Sequence, residues 1–285
     1  MPSPWTVRPR RRLCAPLCGL LLLTTAAAAA AASAPAPAQD PPAPAAAAPD
    51  AKPVTLTLAA KRGDTARYRS VLTMEFGGQE IVVEQVRKET VARAGEKDLA
   101  LTLESEGGKV TVNGNATDLP AVPSTAVTLN RANRILTFTP ESPDDGVLPR
   151  ASQHLVALIE RVVLPDRPVK PGDSWTTEAD HPGLPGKKVT ITTTYIGEER
   201  RPGADGPPAL RLKQTVEADT EYGARALKGE TFALLDAATG ELIASQQTVT
   251  GLPSPQGPIG WKGTLQRLPT PEAAPAPAPA KKEGS

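Results

Sequence analysis

The chain has 285 residues, with 32 Lys and Arg, 31 Asp and Glu and two His, for a formal net charge of +1. That balance supplies no electrostatic footprint for nucleic acid. Both cysteines, Cys14 and Cys18, lie near the N-terminus, so the rest of the chain has no disulfide, no thiolate metal site and no cysteine nucleophile.

The first 34 residues carry a basic patch (Arg8, Arg10, Arg11, Arg12), an apolar run over residues 17–23 and an alanine tract ending in Ala32, Ser33 and Ala34. This is the charge, apolar core and small-residue order of a secretory signal, read here as residues 1–34. The apolar stretch over 13–34 also approaches the roughly 20 residues that span a bilayer. Pro16 interrupts it and alanine dominates it, which favours a cleaved signal, with no membrane span afterwards, over a retained N-terminal anchor. Cleavage after Ala32 and cleavage near Ala38 both fit. Cys18 lies at the start of the apolar run instead of following it, which argues against lipid anchoring. The expected location is the periplasm or the exterior, and removing the four signal arginines leaves 28 basic and 31 acidic residues.

Residues 35–53 are almost entirely Ala and Pro, and the pattern returns over 269–285. Proline-rich chains stay extended and solvated, so both segments read as disordered tails. About 215 residues remain from 54 to 268, enough for one large β domain or two small halves.

Period-two alternation dominates that span. Tyr68, Ser70, Leu72, Met74 and Phe76 share one face, and Arg67, Arg69, Thr73 and Glu75 the other, before Gly77-Gly78 turns the chain into residues 81–91. Leu99, Leu101 and Leu103 alternate in the same way, and Asn113-Gly114 is a two-residue hairpin signal after Val110 and Val112. Val189, Ile191 and Tyr195 oppose Thr190, Thr192 and Thr194, and similar runs cover 210–218, 227–235, 242–249 and 259–268. Between Pro149 and Leu164 the rhythm changes: Leu155, Leu158, Ile159 and Val162 recur at helical spacing, with Glu160 and Arg161 elsewhere on the wheel. One amphipathic helix over 149–164 is expected, stopped by Pro165.

The expected fold is mainly β, with antiparallel sheets forming a half-barrel or a sandwich. Lys61, Gly63, Asp64 and Thr65 are echoed by Lys170, Gly172, Asp173 and Ser174, which suggests related halves over 54–148 and 165–268 joined through the helix. Chance similarity between turns explains the echo nearly as well, because Gly-Asp suits any turn.

Three segments carry a family resemblance: residues 58–68 with Lys61-Arg62-Gly63-Asp64, the Gly77-Gly78-Gln79-Glu80 turn, and the block from Leu164-Pro165-Asp166-Arg167-Pro168 to Gly172-Asp173-Ser174-Trp175. Together they resemble an exported bacterial family catalogued only as a domain of unknown function, over most of 54–251. The resemblance implies a secreted or periplasmic, mainly β protein and brings no activity. Architecture alone is also similar to the incurved β half-barrels of periplasmic lipoprotein carriers, an analogy that says nothing about ligand.

Candidate chemistry is sparse. His154 lies on the expected helix and His181 precedes Pro182; neither has a second ligand at the spacing of a helical zinc pair, and Asp180-His181 and Asp144-Asp145 read as turn or surface residues. There is no Gly-x-Ser-x-Gly elbow and no phosphate loop, Glu198-Glu199 adjoin a Gly-Pro-rich loop, and Arg62-Gly63-Asp64 reads as a turn. Trp175 and Trp261 read as core. No catalytic residue, metal or cofactor is expected. Two readings remain open. In the first, an envelope protein binds a lipid or other apolar small molecule, with Leu72, Met74, Val189, Ile191, Phe232 and Leu234 as candidate lining. In the second, the same residues fill a solid core of a non-catalytic structural module that meets other envelope proteins.

Overall fold

Alternation fixes which residues share a face of a strand, and pairing between strands decides which face turns inward. A computed structural model of the chain describes residues 52–140, 148–199 and 208–269. The expected signal, nearly all of both tails and Asp144-Asp145 lie outside the described residues. The elements run β1 (Thr65–Phe76), β2 (Gln79–Ala94), β3 (Asp98–Val112), β4 (Asn115–Leu119), β5 (Val122–Asn130), β6 (Ile135–Thr139), α1 (Arg150–Glu160), β7 (Ser174–Asp180), β8 (Lys188–Glu199), β9 (Ala209–Thr220), β10 (Gly223–Asp236), β11 (Leu242–Leu252) and β12 (Ile259–Arg267).

All twelve strands join one open antiparallel sheet in the order β6-β5-β3-β2-β1-β12-β11-β10-β9-β8-β7, with β4 paired beside β3. Among the described residues the fold is therefore mainly β with a single helix, and no second sheet packs on the first as a sandwich requires. Two meanders make up this order, one before α1 and one after it. They meet where β1 pairs with β12, with Tyr68 opposite Arg267 and Ser70 opposite Leu265. The path ends at β6 and β7, the two strands that flank α1 in sequence.

Register sets the inner face. Tyr68 lies opposite Arg87, Ser70 opposite Gln85 and Leu72 opposite Val83, and on the far side Ile191 lies opposite Val216 and Val189 opposite Ala218. The inner residues Leu212, Gln214 and Val216 of β9 are buried while their neighbours are half-buried, the one-sided pattern of a sheet with a covered face. The helix packs on this face through Leu155, Leu158 and Ile159 against Val189, Ile191, Val216, Leu227, Val249 and Trp261. Each such burial is worth about 1.5–3 kcal/mol, and an 11-residue helix needs it, because isolated helices this short are marginal. Gly229 of β10 permits the approach, since a Cβ there would lie 2.9 Å from Ile159 Cγ1.

The helix ends earlier than expected. It stops at Glu160, and Arg161 is already extended, although Pro165 is the sequence stop. Buried polar groups on the sheet capture the released backbone. Gln214 Nε2 donates to the Arg161 carbonyl at 3.0 Å and its Oε1 accepts from Val163 N at 2.8 Å, while Thr231 Oγ1 donates to the Ile159 carbonyl at 3.1 Å. Trp175 Nε1 adds a bond to the Val163 carbonyl at 3.1 Å. These contacts answer the unpaired carbonyls that every helix end presents. A second core cluster, which includes Leu56, Leu99, Leu129, Val162, Leu164, Tyr195 and Leu212, fills the other end of the trough. The extended segment at residues 54–60 packs there, and Arg131 Nη1 ties it down by donating to the Leu58 and Ala60 carbonyls.

Candidate functional site

The interruption in the strand order is where a site forms. The β5–β6 turn reverses tightly: Asn133 takes a left-handed φ of 60°, a conformation Asn tolerates better than most residues, and Asn130 Oδ1 accepts from Arg134 N at 2.9 Å. The turn thereby sets Asn133, Arg134, Ile135 and Leu136 on one side of a cleft of about 410 Å³. Thr177 and Ala179 of β7 with Ile191 of β8 form the other side, and His154, Leu158 and Arg161 from α1 and its end form the floor. His154 stacks on Phe138 of β6 with ring centroids 4.9 Å apart, which holds the helix against that edge.

Charge in the cleft is mostly paired. Lys188 pairs with Asp180, and Arg134 Nη2 reaches Asp166 at 2.6 Å. Burial holds His154 below the ordinary imidazole range. Leu136 is 55% exposed at the rim. The lining is amphipathic: Ile135, Leu136, Leu158, Val163, Ala179 and Ile191 supply apolar wall, and the other nine of the fifteen lining residues are polar or charged, around a volume within the range of about 300–1,000 Å³ typical of a small-molecule site.

Behind the floor lies a charge network that alternation alone does not reveal. Arg87 Nη1 meets Glu160 Oε2 at 2.6 Å, Arg161 Nη2 meets Glu89 Oε1 at 2.8 Å, and Arg87 Nη2 stands 3.3 Å from Glu89. All four side chains are less than a fifth exposed. Burial raises the Glu89 carboxyl, but the neighbouring Arg161 and Arg87 outweigh it and hold the group below the usual carboxylate range. Burial and then Glu89 push the Tyr68 phenol well up. Glu160 and Arg161 read in sequence as the helix's polar side. The structure instead turns them inward against β2, where Arg87 and Glu89 sit two apart and so share the inner face. That i, i+2 pairing of opposite charges beside Tyr68's partner position was the available signal.

The six candidate lining residues separate into groups. Val189 and Ile191 lie on the inner wall under α1, and Ile191 reaches the cleft. Leu72 and Met74 are half-buried on the inner face of β1 and pack against the same cluster. Phe232 and Leu234 do not join them: Thr231, Ala233 and Leu235 take the inner face of β10, leaving Phe232 outside beneath Lys213, whose Nζ lies 5.1 Å from the ring centroid. Leu158 carried the helical signal, whereas Asn133, Arg134 and Thr177, which also line the cleft, carry no sequence signal of their own. Trp261 is buried in the cluster under α1, and Trp175 packs partly buried against the other cluster.

No family model matches the chain, and no curated protein matches it. Among solved structures the chain is similar to a DUF1329 family protein from Desulfovibrio piger, with 10% identity over 72% of this chain and 85% of that one and a TM-score of 0.21. A likeness of that strength carries no argument about fold or function.

The remaining sequence candidates hold local structure. His181 Nδ1 accepts from Gly183 N at 3.1 Å and Leu184 N at 2.9 Å, shaping the β7–β8 turn. Asp64 of Arg62-Gly63-Asp64 closes its own turn through Lys61 N. Among the described residues no group of three or more His, Cys, Asp or Glu side chains is placed to hold a metal ion, and no helix is long and apolar enough to cross a membrane.

Proposed function

We propose that this is an exported, non-catalytic binding protein of the bacterial envelope that holds an apolar ligand in the cleft between β6 and β7. The observation that carries the reading is the place of the cleft. A sheet whose first and last strands pair is broken between β6 and β7, and a cavity of about 410 Å³ with Ile135, Leu136, Leu158 and Ile191 in its walls lies at that break. Two half-buried walls from opposite ends of the sheet can take up a chain-like guest without unfolding either core. Export is supported by the charge and apolar order of residues 1–34.

A specific feature favours the second reading, an interaction module. Among the described residues β6 and β7 each pair on one side only, and an unpaired strand edge is a template for another strand. Native mass spectrometry of the full chain, expressed with its own N-terminus and purified gently from a bacterial periplasm, separates the two. A stoichiometric adduct that extracts into organic solvent is expected. A clean apo mass that persists after incubation with envelope lipid extract would overturn the ligand reading and leave the strand edges as the working surface.

A further inference from the structure

Among the described residues, seven buried side-chain nitrogen or oxygen atoms have no hydrogen-bond partner. Three of them, Asn133 Oδ1, Arg134 Nε and Thr177 Oγ1, belong to residues that line this one cleft. Buried polar atoms are almost always paired, so three orphans around one cavity call for a cause. They also flank it: Asn133 and Arg134 stand in the turn before β6, and Thr177 stands on the inner face of β7.

The charges around the cleft single out Arg134. Arg161 is matched by Glu89, and Lys188 by Asp180. Glu178 and Asp180 also line the cleft, but both alternate to the exposed side of β7, and Asp180 is taken up by Lys188. His154 is stacked on Phe138. Among the described residues Arg134 pairs with Asp166, whose side chain is 68% exposed, and keeps an unused donor in the wall. A guanidinium carries five donors, and a partly desolvated one draws an anionic oxygen more strongly than a surface pair does.

We propose that the ligand of this cleft is a single-chain amphiphile with an anionic oxygen head. The head accepts hydrogen bonds from Arg134 and from the Thr177 hydroxyl, while the chain lies along Ile135, Leu158 and Ile191 beneath the rim residue Leu136. Both donors sit in the cleft wall instead of on its surface, so the head draws them out; for Thr177 one rotation about χ1 suffices. Asn133 Oδ1 is an acceptor and takes a water or a hydroxyl beside the head. This assignment rests on the cleft being the apolar-ligand site.

The test compares palmitate with cetyl alcohol, which has the same chain and an uncharged head, by displacement of a fluorescent probe from the full exported chain at neutral pH. Palmitate is expected to bind about tenfold or more tightly than the alcohol, as a charge-assisted hydrogen bond implies. Arg134→Gln removes most of that advantage and leaves the alcohol's affinity nearly unchanged. Thr177→Val, close to isosteric and still β-branched, reduces it by a smaller factor and decides the matter should Arg134→Gln fail to fold. Equal binding of acid and alcohol, unmoved by either variant, overturns the anionic head while leaving the apolar cleft intact. Binding of neither overturns the head and the site together. In that case protection of β6 and β7 amides by an extended peptide would assign the cleft to strand addition.

Discussion

Asp64 and Asp173 make the same hydrogen bond in two different turns, one before β1 and one before β7: each carboxylate accepts the backbone N–H of the lysine three residues earlier, from Lys61 at 2.7 Å and from Lys170 at 3.0 Å. The match extends further. Gly63 and Gly172 both take left-handed φ, at 89° and 93°. Gly63 N donates to Val91 O and Gly172 N to Tyr195 O, each in the strand next to the one the turn opens. The echo between Lys61-Gly63-Asp64 and Lys170-Gly172-Asp173 is therefore one turn built twice, at the start of each meander. Each aspartate-to-alanine change is expected to cost about 1 kcal/mol, and the two share no partner, so urea unfolding of the double variant should show the sum. A double variant far from additive would mean that the turns are coupled through the sheet.

Gly229 tests how closely α1 must sit on the sheet. Gly229→Val drives a branched side chain into Ile159, whose Cγ1 lies 2.9 Å from even a bare Cβ. Overpacking of this kind costs about 1–3 kcal/mol. The companion change Ile159→Ala in the Gly229→Val background removes both γ carbons and should make the combined loss smaller than the sum of the two single changes, measured as the midpoint of chemical unfolding. A fully additive loss would place the strain in the β10 backbone instead.

The network behind the floor predicts an asymmetry. Glu89→Ala leaves Arg87 and Arg161 buried without their shared carboxylate and is expected to cost about 3–5 kcal/mol. Replacing Arg87 and Glu160 together with methionine removes a matched pair and should cost less than either single change. A double variant worse than both singles would contradict this account.

Acid sensitivity follows from the same carboxylate. Glu89 has a folded-state pKa held below its unfolded value by Arg161 and Arg87 against the opposing effect of burial. The unfolded chain therefore takes up the proton at higher pH than the folded one. The stability this contributes is complete above about pH 4.3, the ordinary glutamate value, and is lost as pH falls through the folded value. Glu89→Gln should be less stable than the parent at neutral pH and show a shallower acid decline; an unchanged acid limb would remove Glu89 as its source.

Between pH 5 and 7 the two histidines dominate. Burial lowers both, with Asp219 partly opposing it at His181. Protonation at Nδ1 would also forfeit the bonds from Gly183 and Leu184. Stability is thus full above about pH 6.5, the unperturbed imidazole value, and declines as pH drops toward the folded values. The double variant His154→Phe with His181→Asn keeps a ring against Phe138 and an acceptor in the turn, and should flatten the urea midpoint over this range. A slope that survives in the double variant would point to groups other than the histidines.

Much of the fold was legible because strand period and turn chemistry are local. Tyr68, Ser70, Leu72 and Met74 do share an inner face, and Asn113-Gly114 does close a hairpin, with both residues at positive φ. The candidate site was less legible. Phe232 and Leu234 were indistinguishable in pattern from Ala233 and Leu235, since both phases of β10 are apolar. Arg134 and Thr177 lie more than forty residues apart in sequence, and nothing local marks either of them.

By itself the sequence determined the alternation, the turns and the helix that precedes Pro165, because each of these depends on residues a few positions apart and on their own torsional preferences. Tertiary structure alone decided which phase of β10 faces inward, that Gln214 and Thr231 end the helix at Glu160, that Glu160 and Arg161 turn toward Arg87 and Glu89, and that β6 and β7 flank a cleft. Those outcomes are set by register and by desolvation between segments far apart in the chain, where the free energy belongs to the pair and not to either residue alone.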